Sequence, residues 1–414
     1  MPRSVLALIL CVLLAGCDRS PQLAESPSPF PAGDGVARFL TKHWDRPLRA
    51  QGSAPFEFGP LERSLEPEAC GNCHSDQVRD WKASLHSRAI GPGVLGQLVD
   101  MNPSNGDEHQ DCLRCHAPLK EQAVSLVEAL NRSRPDPRIR PAHEQGLTCA
   151  GCHVREHVRY GPPRRDGTSP TATDSGLPHG GWTASEAFED PRFCSTCHQF
   201  SGGDFKLNGK YLENTYEEWK ASRHAREGRT CQSCHMPDRR HLWRGIHDKD
   251  MVKGGVTISF GAPGVEAGTV QTALTIRNTE TGHMFPTYVT PKVVAEIYQA
   301  DIAGKPLSKT LRTLVIAREV ESDLSAEIAD TRLAPDESAT LAYSVPVHAR
   351  AVFVYYRVRV EPDAFYAVMY EGMLRSGGSA RGGRMIQAAL FNARRSGFTF
   401  YEGKAVLPSG RRNK

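Results

Sequence analysis

The sequence predicts a multidomain protein in which a mostly α-helical N-terminal part precedes an all-β, sandwich-like C-terminal part. Five Cys-x-x-Cys-His motifs begin at residues 70, 112, 149, 194 and 231. Beside the first motif, apolar residues recur at helical spacing, whereas from about Val256 they alternate with polar residues as in strands. A length of 414 residues is sufficient for two domains.

The N-terminus has the features of an export signal. Val5 to Gly16 form an apolar run that is too short to span a bilayer but has the length of a signal-peptide core. The letters LAGC, which end at Cys17, resemble the bacterial lipobox, and this resemblance implies cleavage before Cys17 and lipidation of its thiol. Plain secretion is the alternative. Residues 1–17 are predicted to be a lipoprotein signal peptide, and residues 18–66, which begin rich in Pro and Ser, a flexible tether and lead-in.

All ten cysteines beyond residue 17 fall in the five motifs. Cys-x-x-Cys-His is the attachment motif of c-type haem. Two thiols on one turn of backbone can bond the two vinyl groups of a porphyrin, and the next residue places an imidazole under the iron. The sequence therefore predicts five covalent haem c groups. The attachment residues are Cys70, Cys73, Cys112, Cys115, Cys149, Cys152, Cys194, Cys197, Cys231 and Cys234, and the proximal ligands are His74, His116, His153, His198 and His235.

Other interpretations of the paired cysteines fit less well. Disulfides suit an exported chain, but they need no adjacent histidine. Zinc sites use Cys-x-x-Cys without a fixed neighbouring histidine. A thioredoxin-like redox pair needs a βαβ context, which the residues around these motifs do not predict.

The motifs are too close together for each haem to have its own globule. One motif falls every 37 to 45 residues, so the haems are expected to form most of the core, stacked against one another. We therefore predict a haem-packed pentahaem cytochrome domain over residues 67–251. The formal net charge of +4 argues against nucleic acid as a partner.

A short repeat suggests where two sixth iron ligands lie. The letters WKASLH end at His86, and WKASRH ends at His224. Residues 74 to 85 are predicted to form one helix, which would place His86 about 18 Å from His74 at about 1.5 Å per residue. His86 is therefore expected to reach a neighbouring haem, while the tryptophans of the repeat pack against porphyrin edges. A surface position for both histidines is the alternative.

Further sixth ligands are expected among the other histidines. The candidates are His179, His247 and His283, followed by His143 and His241. His157 is excluded as the partner of His153, because the two would lie one helical turn apart on one face. The remaining histidines, which are His43, His109, His157 and His348, are interpreted as surface or core residues, and Met236 as a packing residue.

The order of motifs resembles the cytochrome c-554 family of multihaem electron carriers. Cys-x-x-Cys-His is followed by Trp-x-x-Ser-x-His and by a second Cys-x-x-Cys-His, most clearly over residues 70–118 and more loosely over 149–237. The resemblance implies a mostly helical fold with closely packed haem pairs, and it allows one haem to lack a sixth ligand. The fifth motif and the long C-terminal extension depart from that family's four-haem pattern.

Residues 252–414 contain no cysteine and are predicted to form a β-sandwich-like domain with a C-terminal helix and strand. Six segments alternate apolar and polar residues, are rich in β-branched and aromatic residues, and are separated by turn-forming residues. They span 256–260, 270–278, 292–301, 314–321, 339–345 and 351–361, with a helix at 384–395 and a strand near 398–401. We interpret this domain as a structural or docking module.

The favoured function is electron transfer through five haems, between a redox protein or quinol-linked donor and an acceptor. One alternative is a haem enzyme that reduces or oxidises a small nitrogen or sulfur compound at one open-coordinate haem. Pentahaem nitrite reductases resemble the chain in haem count, but their active haem uses Cys-x-x-Cys-Lys, which the sequence lacks. A binding module is the third hypothesis, and no catalytic residue is singled out. We expect an exported lipoprotein, held to a membrane by its lipid and facing the periplasm or cell exterior.

Overall fold

The computed structural model describes residues 34–101, 106–131, 140–170, 176–377 and 381–408. The predicted signal peptide, the lipidation site at Cys17 and the first part of the predicted tether lie outside these residues. Within the described ranges, no helix is both long enough and apolar enough to cross a membrane.

The N-terminal part consists of short helices joined by irregular segments. Four of the five motifs end a helix at their histidine, so that both cysteines and the imidazole lie on adjoining turns. The helices are α1 (Gly35–His43), α2 (Pro60–Arg63), α3 (Pro67–Cys70), α4 (Ser75–Ala83), α5 (Pro92–Leu98), α6 (Gly106–His116), α7 (Lys120–Asn131), α8 (Cys149–His153), α9 (Arg192–His198), α10 (Thr215–Lys220), α11 (Arg223–Arg226), α12 (Cys231–His235) and α13 (Lys249–Gly255).

Two small sheets interrupt these helices. The first contains β1 (Val154–Arg155), β2 (Val158–Gly161) and β3 (Thr183–Ala184), and the second contains β4 (Lys206–Leu207) and β5 (Lys210–Tyr211). The apolar side chains form separate clusters, one around Leu40 and Trp44 and another around Leu98 and Leu113. This part of the chain therefore has a divided apolar core.

Two expectations about helix continuity are wrong. The helix predicted from His74 to Leu85 ends at Ala83, because Ser84 is extended and its hydroxyl donates to the Trp81 carbonyl at 2.7 Å. A short 3-10 turn then begins at His86.

The second error concerns the segment after His153, where a helical turn was expected to carry His157. Instead α8 ends at His153, and β1 and β2 form a hairpin whose turn residues, Glu156 and His157, have φ values of 51° and 60°. His153 and His157 therefore do not lie one turn apart on a helix, and the helical spacing does not exclude His157 as a ligand. The His157 ring instead lies with Nε2 3.1 Å from the Gly52 carbonyl oxygen.

The C-terminal part contains the predicted strands arranged in two principal sheets. One has the order β10–β9–β14–β15 and the other the order β13–β8–β6, with β7 beside β8, and all neighbours are antiparallel. The strands are β6 (Val256–Phe260), β7 (Gly264–Glu266), β8 (Thr269–Asn278), β9 (Lys292–Ala300), β10 (Arg312–Ile316), β11 (Arg318–Val320), β12 (Glu327–Asp330), β13 (Ser338–Pro346), β14 (Phe353–Glu361) and β15 (Phe398–Val406).

Both principal sheets contribute to one buried apolar core. Leu274 and Ile276 on β8 belong to the same cluster as Ile297 on β9 and Val358 on β14. This arrangement follows from the period-two alternation, which places every second side chain on the inner face. The segment predicted as one strand at 314–321 is divided, because β11 leaves the sheet after Ile316 and pairs with β12.

The last two helices return to the N-terminal part. They are α14 (Ala364–Arg375), which the sequence analysis missed, and α15 (Gly383–Arg395). A Cβ atom on Gly382 would lie 1.9 Å from the Gly96 carbonyl oxygen, so only glycine permits this approach of the α15 N-terminus to α5. Asp100 accepts hydrogen bonds from the backbone N–H groups of Arg381 and Gly382 at 2.7 and 3.1 Å.

A buried arginine also joins the two parts. Arg318 on β11 is 1% exposed and donates to the carbonyl oxygens of Leu207, Lys210 and Tyr211 at 2.7 to 3.2 Å. It also pairs with the Glu327 carboxylate at 2.9 Å. The β-sandwich is therefore bonded to the β4–β5 hairpin of the N-terminal part.

Candidate functional site

A continuous cavity of about 2770 Å³ is lined by all five Cys-x-x-Cys-His motifs. A pocket for one small ligand is typically about 300–1,000 Å³. The cavity is therefore large enough for several large cofactors. It occupies the space between the separate apolar clusters of the N-terminal part.

The motif cysteines are free thiols in the structure. Thiols of different motifs also lie close enough to shift one another's pKa values. These pairs are Cys70 with Cys149, Cys115 with Cys197, and Cys194 with Cys231. The Arg46 guanidinium bridges one of them, with nitrogens 3.8 Å from Cys115 Sγ and 3.3 Å from Cys197 Sγ.

Three of the predicted proximal imidazoles are oriented by main-chain hydrogen bonds at Nδ1. The Nδ1 atoms of His116, His153 and His235 each lie 2.7 Å from a main-chain carbonyl oxygen. Metal-bound histidines commonly use the second ring nitrogen in this way. The arrangement makes Nδ1 the donor and leaves Nε2 as the atom that can hold iron.

Burial keeps several of these imidazoles neutral. It lowers the pKa of His86 to about 3 and the pKa values of His153 and His235 to about 4. A histidine must be neutral to offer its ring nitrogen to a metal. The protonation state that burial imposes is therefore the state that ligation requires.

Three pairs of imidazoles face each other across the cavity. The ring centres are 6.3 Å apart for His86 and His198, 6.1 Å for His153 and His241, and 6.4 Å for His235 and His283. Since metal–imidazole bonds are about 2 Å long, two imidazoles on opposite sides of one iron have ring centres roughly 6 Å apart. The three pairs fit haem iron held between two histidines.

The distal member of each pair comes from a different element. His86 begins the 3-10 turn after α4. His241 follows Arg240, whose guanidinium donates to Asp80 at 2.6 and 2.7 Å, and the same carboxylate accepts the His241 backbone N–H at 3.2 Å. Electrostatic anchoring by Asp80 thus sets the position of His241.

His283 comes from the C-terminal part. Its carbonyl accepts from the Asn278 side chain at 2.9 Å, and the nearby Phe285 exchanges both backbone hydrogen bonds with Leu333 at 2.8 and 2.9 Å. The Phe285 ring belongs to the sandwich core. The loop that carries His283 is therefore fixed in the β-sandwich and extends into the cavity.

The other predicted sixth ligands occupy different surroundings. The pKa of His179 is lowered by burial, by Arg159 and by the nearby His74. The Nδ1 atom of His179 is 2.8 Å from the Gly181 carbonyl oxygen. His247 lies with Nε2 3.0 Å from Asp363 Oδ1. His224 lines the cavity beside Gly282, and all three remain predicted ligands.

His74 and His116 belong to none of these imidazole pairs in the described part of the chain. His74 lies near the predicted ligand His179, whose pKa it helps to lower. His116 helps to lower the pKa values of His86 and His198, which already face each other.

The first copy of the repeat makes a specific pair of backbone contacts. Trp81 Nε1 donates to the Leu147 carbonyl at 2.7 Å, and the Leu147 N–H donates to the His86 carbonyl at 2.9 Å. Leu147 stands two residues before Cys149, the first cysteine of the third motif. We call this double contact the motif clamp.

The second copy forms the same clamp. Trp219 Nε1 donates to the Arg229 carbonyl at 2.8 Å, and the Arg229 N–H donates to the His224 carbonyl at 2.9 Å. Arg229 stands two residues before Cys231. The repeat therefore fixes the backbone at the entrance of the third and fifth motifs, a role that its letters alone did not indicate.

Sequence reasoning missed three features of the cavity wall. Arg46 bridges two motifs, Glu213 has a buried Oε2 without a hydrogen-bond partner, and Tyr288 contacts a proximal histidine. None belongs to a recognisable motif. Only Tyr288 carried a signal, because it lies five residues after the predicted ligand His283.

Comparisons with known proteins agree with this chemistry. Residues 69–154 match the family described as "Cytochrome c554 and c-prime". Cytochrome c-552 of Aliarcobacter butzleri (strain RM4018) is 28% identical over 206 residues, which cover 46% of this chain and 38% of that relative. The match thus spans about two fifths of the relative's length.

A solved structure shares the fold. The penta-heme cytochrome c552 from Thermochromatium tepidum superimposes with a TM-score of 0.55 at 17% sequence identity, covering 84% of this chain and all of that one. Together with the motif thiols, the oriented imidazoles and the cavity that joins them, these similarities support a multihaem c-type cytochrome that resembles the cytochrome c554 family.

Proposed function

We propose that the protein holds five haem c groups, one at each motif, and conducts electrons between a donor and an acceptor. Haem c supplies one-electron chemistry when it is bound. The polypeptide provides the attachment thiols, orients the imidazoles and surrounds the groups with buried side chains. Two neutral imidazoles per iron, at three motifs or more, suit electron transfer rather than substrate binding.

The proximity of thiols of different motifs carries this proposal. Cys70 of the first motif lies close enough to Cys149 of the third, and Cys194 of the fourth to Cys231 of the fifth, for each thiol to shift the pKa of the other. Cys152 of the third motif is an electrostatic neighbour of Cys197 of the fourth. These proximities give the motif order first, third, fourth and fifth, with the second beside the fourth through Cys115.

The order of the motifs makes the proposal testable. In protein matured in a host that attaches haem, replacing both cysteines of the fourth motif (Cys194→Ser with Cys197→Ser) removes the central link. Electron transfer from a reductant to an acceptor is expected to slow strongly. The matched control, Cys112→Ser with Cys115→Ser, removes a branch and is expected to retain most of the wild-type rate.

Two outcomes would contradict the proposal. If mass spectrometry showed fewer haem-bearing peptides than motifs, the proposed chain of five haems would be incomplete. Equal rates in the two double variants would show that electrons do not follow the order given by the proximity of the cysteines.

Location and partners are a further part of the proposal. The Cys17 motif supports an exported lipoprotein, whose lipid would hold it at a membrane near a redox protein or a quinol-linked donor. Cys17→Ala is expected to move the protein from the membrane fraction to the soluble extracytoplasmic fraction. Unchanged membrane association in this variant would contradict lipid anchoring.

The setting of His116 favours a second candidate, reaction of a small nitrogen or sulfur compound at an open iron. Among the described histidines, the two neighbours of His116 already form a pair with each other. Titrating the holoprotein with carbon monoxide, cyanide and nitrite is expected to change the spectrum of one haem. Loss of that response in Cys112→Ser with Cys115→Ser would assign it, and a response retained there would exclude the second motif.

A further inference from the structure

His198 differs from the other oriented proximal histidines in its hydrogen-bond partner. The Nδ1 atoms of His116, His153 and His235 face main-chain carbonyl oxygens, which have no proton to gain or lose. The Nδ1 atom of His198 instead lies 2.6 Å from the Tyr288 hydroxyl. A change of protonation at a group beside the Tyr288 hydroxyl can therefore alter the hydrogen bond at His198 Nδ1.

A carboxyl group lies beside Tyr288. The Glu213 side chain is near enough to Tyr288 for each to shift the pKa of the other. It lines the cavity and has a buried Oε2 with no hydrogen-bond partner. Tyr288 itself has φ 53°, a left-handed conformation that is costly for an aromatic residue and is typically retained where the surrounding structure requires it. The backbone thus positions the phenol between a carboxyl group and a proximal ligand.

Burial raises the pKa of Glu213 to about 8, with smaller contributions from the negative charges of Cys197 and Glu218. A thioether bond at Cys197 would leave that sulfur uncharged, so burial and Glu218 would remain as the causes. A carboxyl group in this range changes its protonation close to neutral pH.

Two phenols and a carboxylate that is paired with an arginine also face Glu213. Burial raises the pKa values of Tyr288 and Tyr366 above the usual range of tyrosine, so both phenols stay neutral. Glu218 is paired with Arg332 at 3.0 Å. Glu213 is therefore the member of this group whose protonation varies.

We infer that Glu213, acting through Tyr288, is a proton-responsive link to His198 that makes the reduction potential at the fourth motif depend on pH. This inference rests on the proposed haem at Cys194 and Cys197. When Glu213 is ionised, Tyr288 donates to its carboxylate and becomes a better acceptor for the His198 Nδ1–H, which increases the basicity of the ligand. The negative charge also favours the oxidised site, so both effects lower the potential.

Electrons and protons balance in this scheme. One electron that enters the fourth motif from the one-electron donor is accompanied by one proton from water, which binds a Glu213 carboxylate oxygen. Oxidation by the acceptor returns both. Because linkage is reciprocal, the reduced site holds the Glu213 proton more tightly than the oxidised site does.

The test is a haem-resolved redox titration of the holoprotein from pH 5 to pH 10. One wild-type potential is expected to fall as pH rises around the Glu213 transition. The limit for one electron and one proton is a tenfold change in the equilibrium constant per pH unit, or about 59 mV. Glu213→Gln and Tyr288→Phe, each nearly isosteric, are expected to remove this slope at that haem.

Tyr356→Phe is the matched control, because it removes another buried phenol, bonded at 2.8 Å to Thr272 within the sandwich. It is expected to leave every pH slope unchanged. A wild-type potential without the slope, or a slope that survives in both Glu213→Gln and Tyr288→Phe, would overturn the inference. Peptide mass spectrometry separates this failure from failure of the proposed function, which would appear as missing haem at Cys194 and Cys197.

Discussion

The indole nitrogen of Trp81 lies 2.7 Å from the carbonyl oxygen of Leu147, which is 66 residues later in the chain and two residues before the predicted haem-attachment cysteine Cys149. Trp219 contacts Arg229 in the same way, although only 10 residues separate them. The same local geometry is thus built across a long and a short chain separation. The repeated sequence therefore preserves one hydrogen-bonded contact beside a Cys-x-x-Cys-His motif, although the surrounding chain differs between the two copies.

Loss of the motif clamp is expected to weaken both the fold and haem attachment. Trp81→Phe leaves the Leu147 carbonyl without its buried donor, which costs about 1–3 kcal/mol of unfolding free energy. Denaturant unfolding measures this loss, and peptide mass spectrometry is expected to show less haem at Cys149. Trp182→Phe is the control, because its indole donates to the Pro162 carbonyl at 2.9 Å, away from the start of a motif. Equal haem occupancy at Cys149 in both variants would refute the role of the clamp.

Replacing the distal histidine of each imidazole pair should affect one haem at a time. His86→Met, His241→Met and His283→Met each exchange an imidazole for a weaker, softer ligand, which is expected to change the spin state or raise the potential of one haem. Absorption and electron paramagnetic resonance spectra report these changes. His348→Met, in the β-sandwich, should leave all spectra unchanged. Wild-type spectra in all three pair variants would exclude the pairing.

His224 allows the two roles of the repeat to be separated. It holds the same backbone position in its clamp as His86, but no described pair includes its ring. His224→Met keeps the carbonyl that accepts from Arg229. A perturbed haem in this variant would show ligation by His224, whereas five unchanged spectra would leave the clamp as its role.

The ionisation of Glu213 should affect stability as well as potential. Its pKa in the folded protein, about 8, exceeds the value of 4.5 for a free glutamic acid. Its contribution to folding is therefore complete at low pH and is lost as pH rises toward and through about 8, with a limiting slope of about 1.4 kcal/mol per pH unit. Relative to wild type, Glu213→Gln should be more stable at pH 9 than at pH 6 in denaturant unfolding. A pH-independent difference would show that Glu213 titrates normally.

Arg318 should be essential to the joint between the two parts. Arg318→Met leaves the carbonyl oxygens of Leu207, Lys210 and Tyr211 without this buried donor, while the Glu327 carboxylate keeps Lys210 at 2.8 Å. A buried acceptor left without a donor costs about 1–3 kcal/mol, so the loss over three carbonyls is expected to exceed that of a single one. Arg357→Met is the control, since Glu296 keeps Arg359 at 3.2 Å and Arg357 is one third exposed. The expected loss there is about 1 kcal/mol or less. Thermal unfolding compares the two, and similar losses would contradict a special role for Arg318.

The sequence predicts what depends on local chemistry. The spacing Cys70-x-x-Cys73-His74 reports haem attachment because the thiols and imidazole must share one turn of backbone. Alternation at 256–260 and 351–361 predicts β6 and β14 because a strand places alternate side chains on opposite faces.

The sequence does not predict which residues that are far apart in the chain lie close together in the fold. His241 was a lesser candidate than His247, yet the contact of its segment with Asp80, 161 positions earlier, turns it toward His153. The helix after His74 stops at Ala83 because one serine hydroxyl bonds back to Trp81. The roles proposed for Glu213 and Tyr288 can be inferred only from the fold, which brings Tyr288 beside His198.

The close approach of Gly382 to Gly96 bears on the order in which the molecule matures. A chain that leaves the ribosome from its N-terminus presents all five attachment motifs before Gly382 is synthesised. The face of α5 that receives Gly382 and α15 therefore stays uncovered until the C-terminal end of the chain has been made. Docking of α14 and α15 thus follows the synthesis of every motif, and it closes a contact that no earlier segment of the chain supplies.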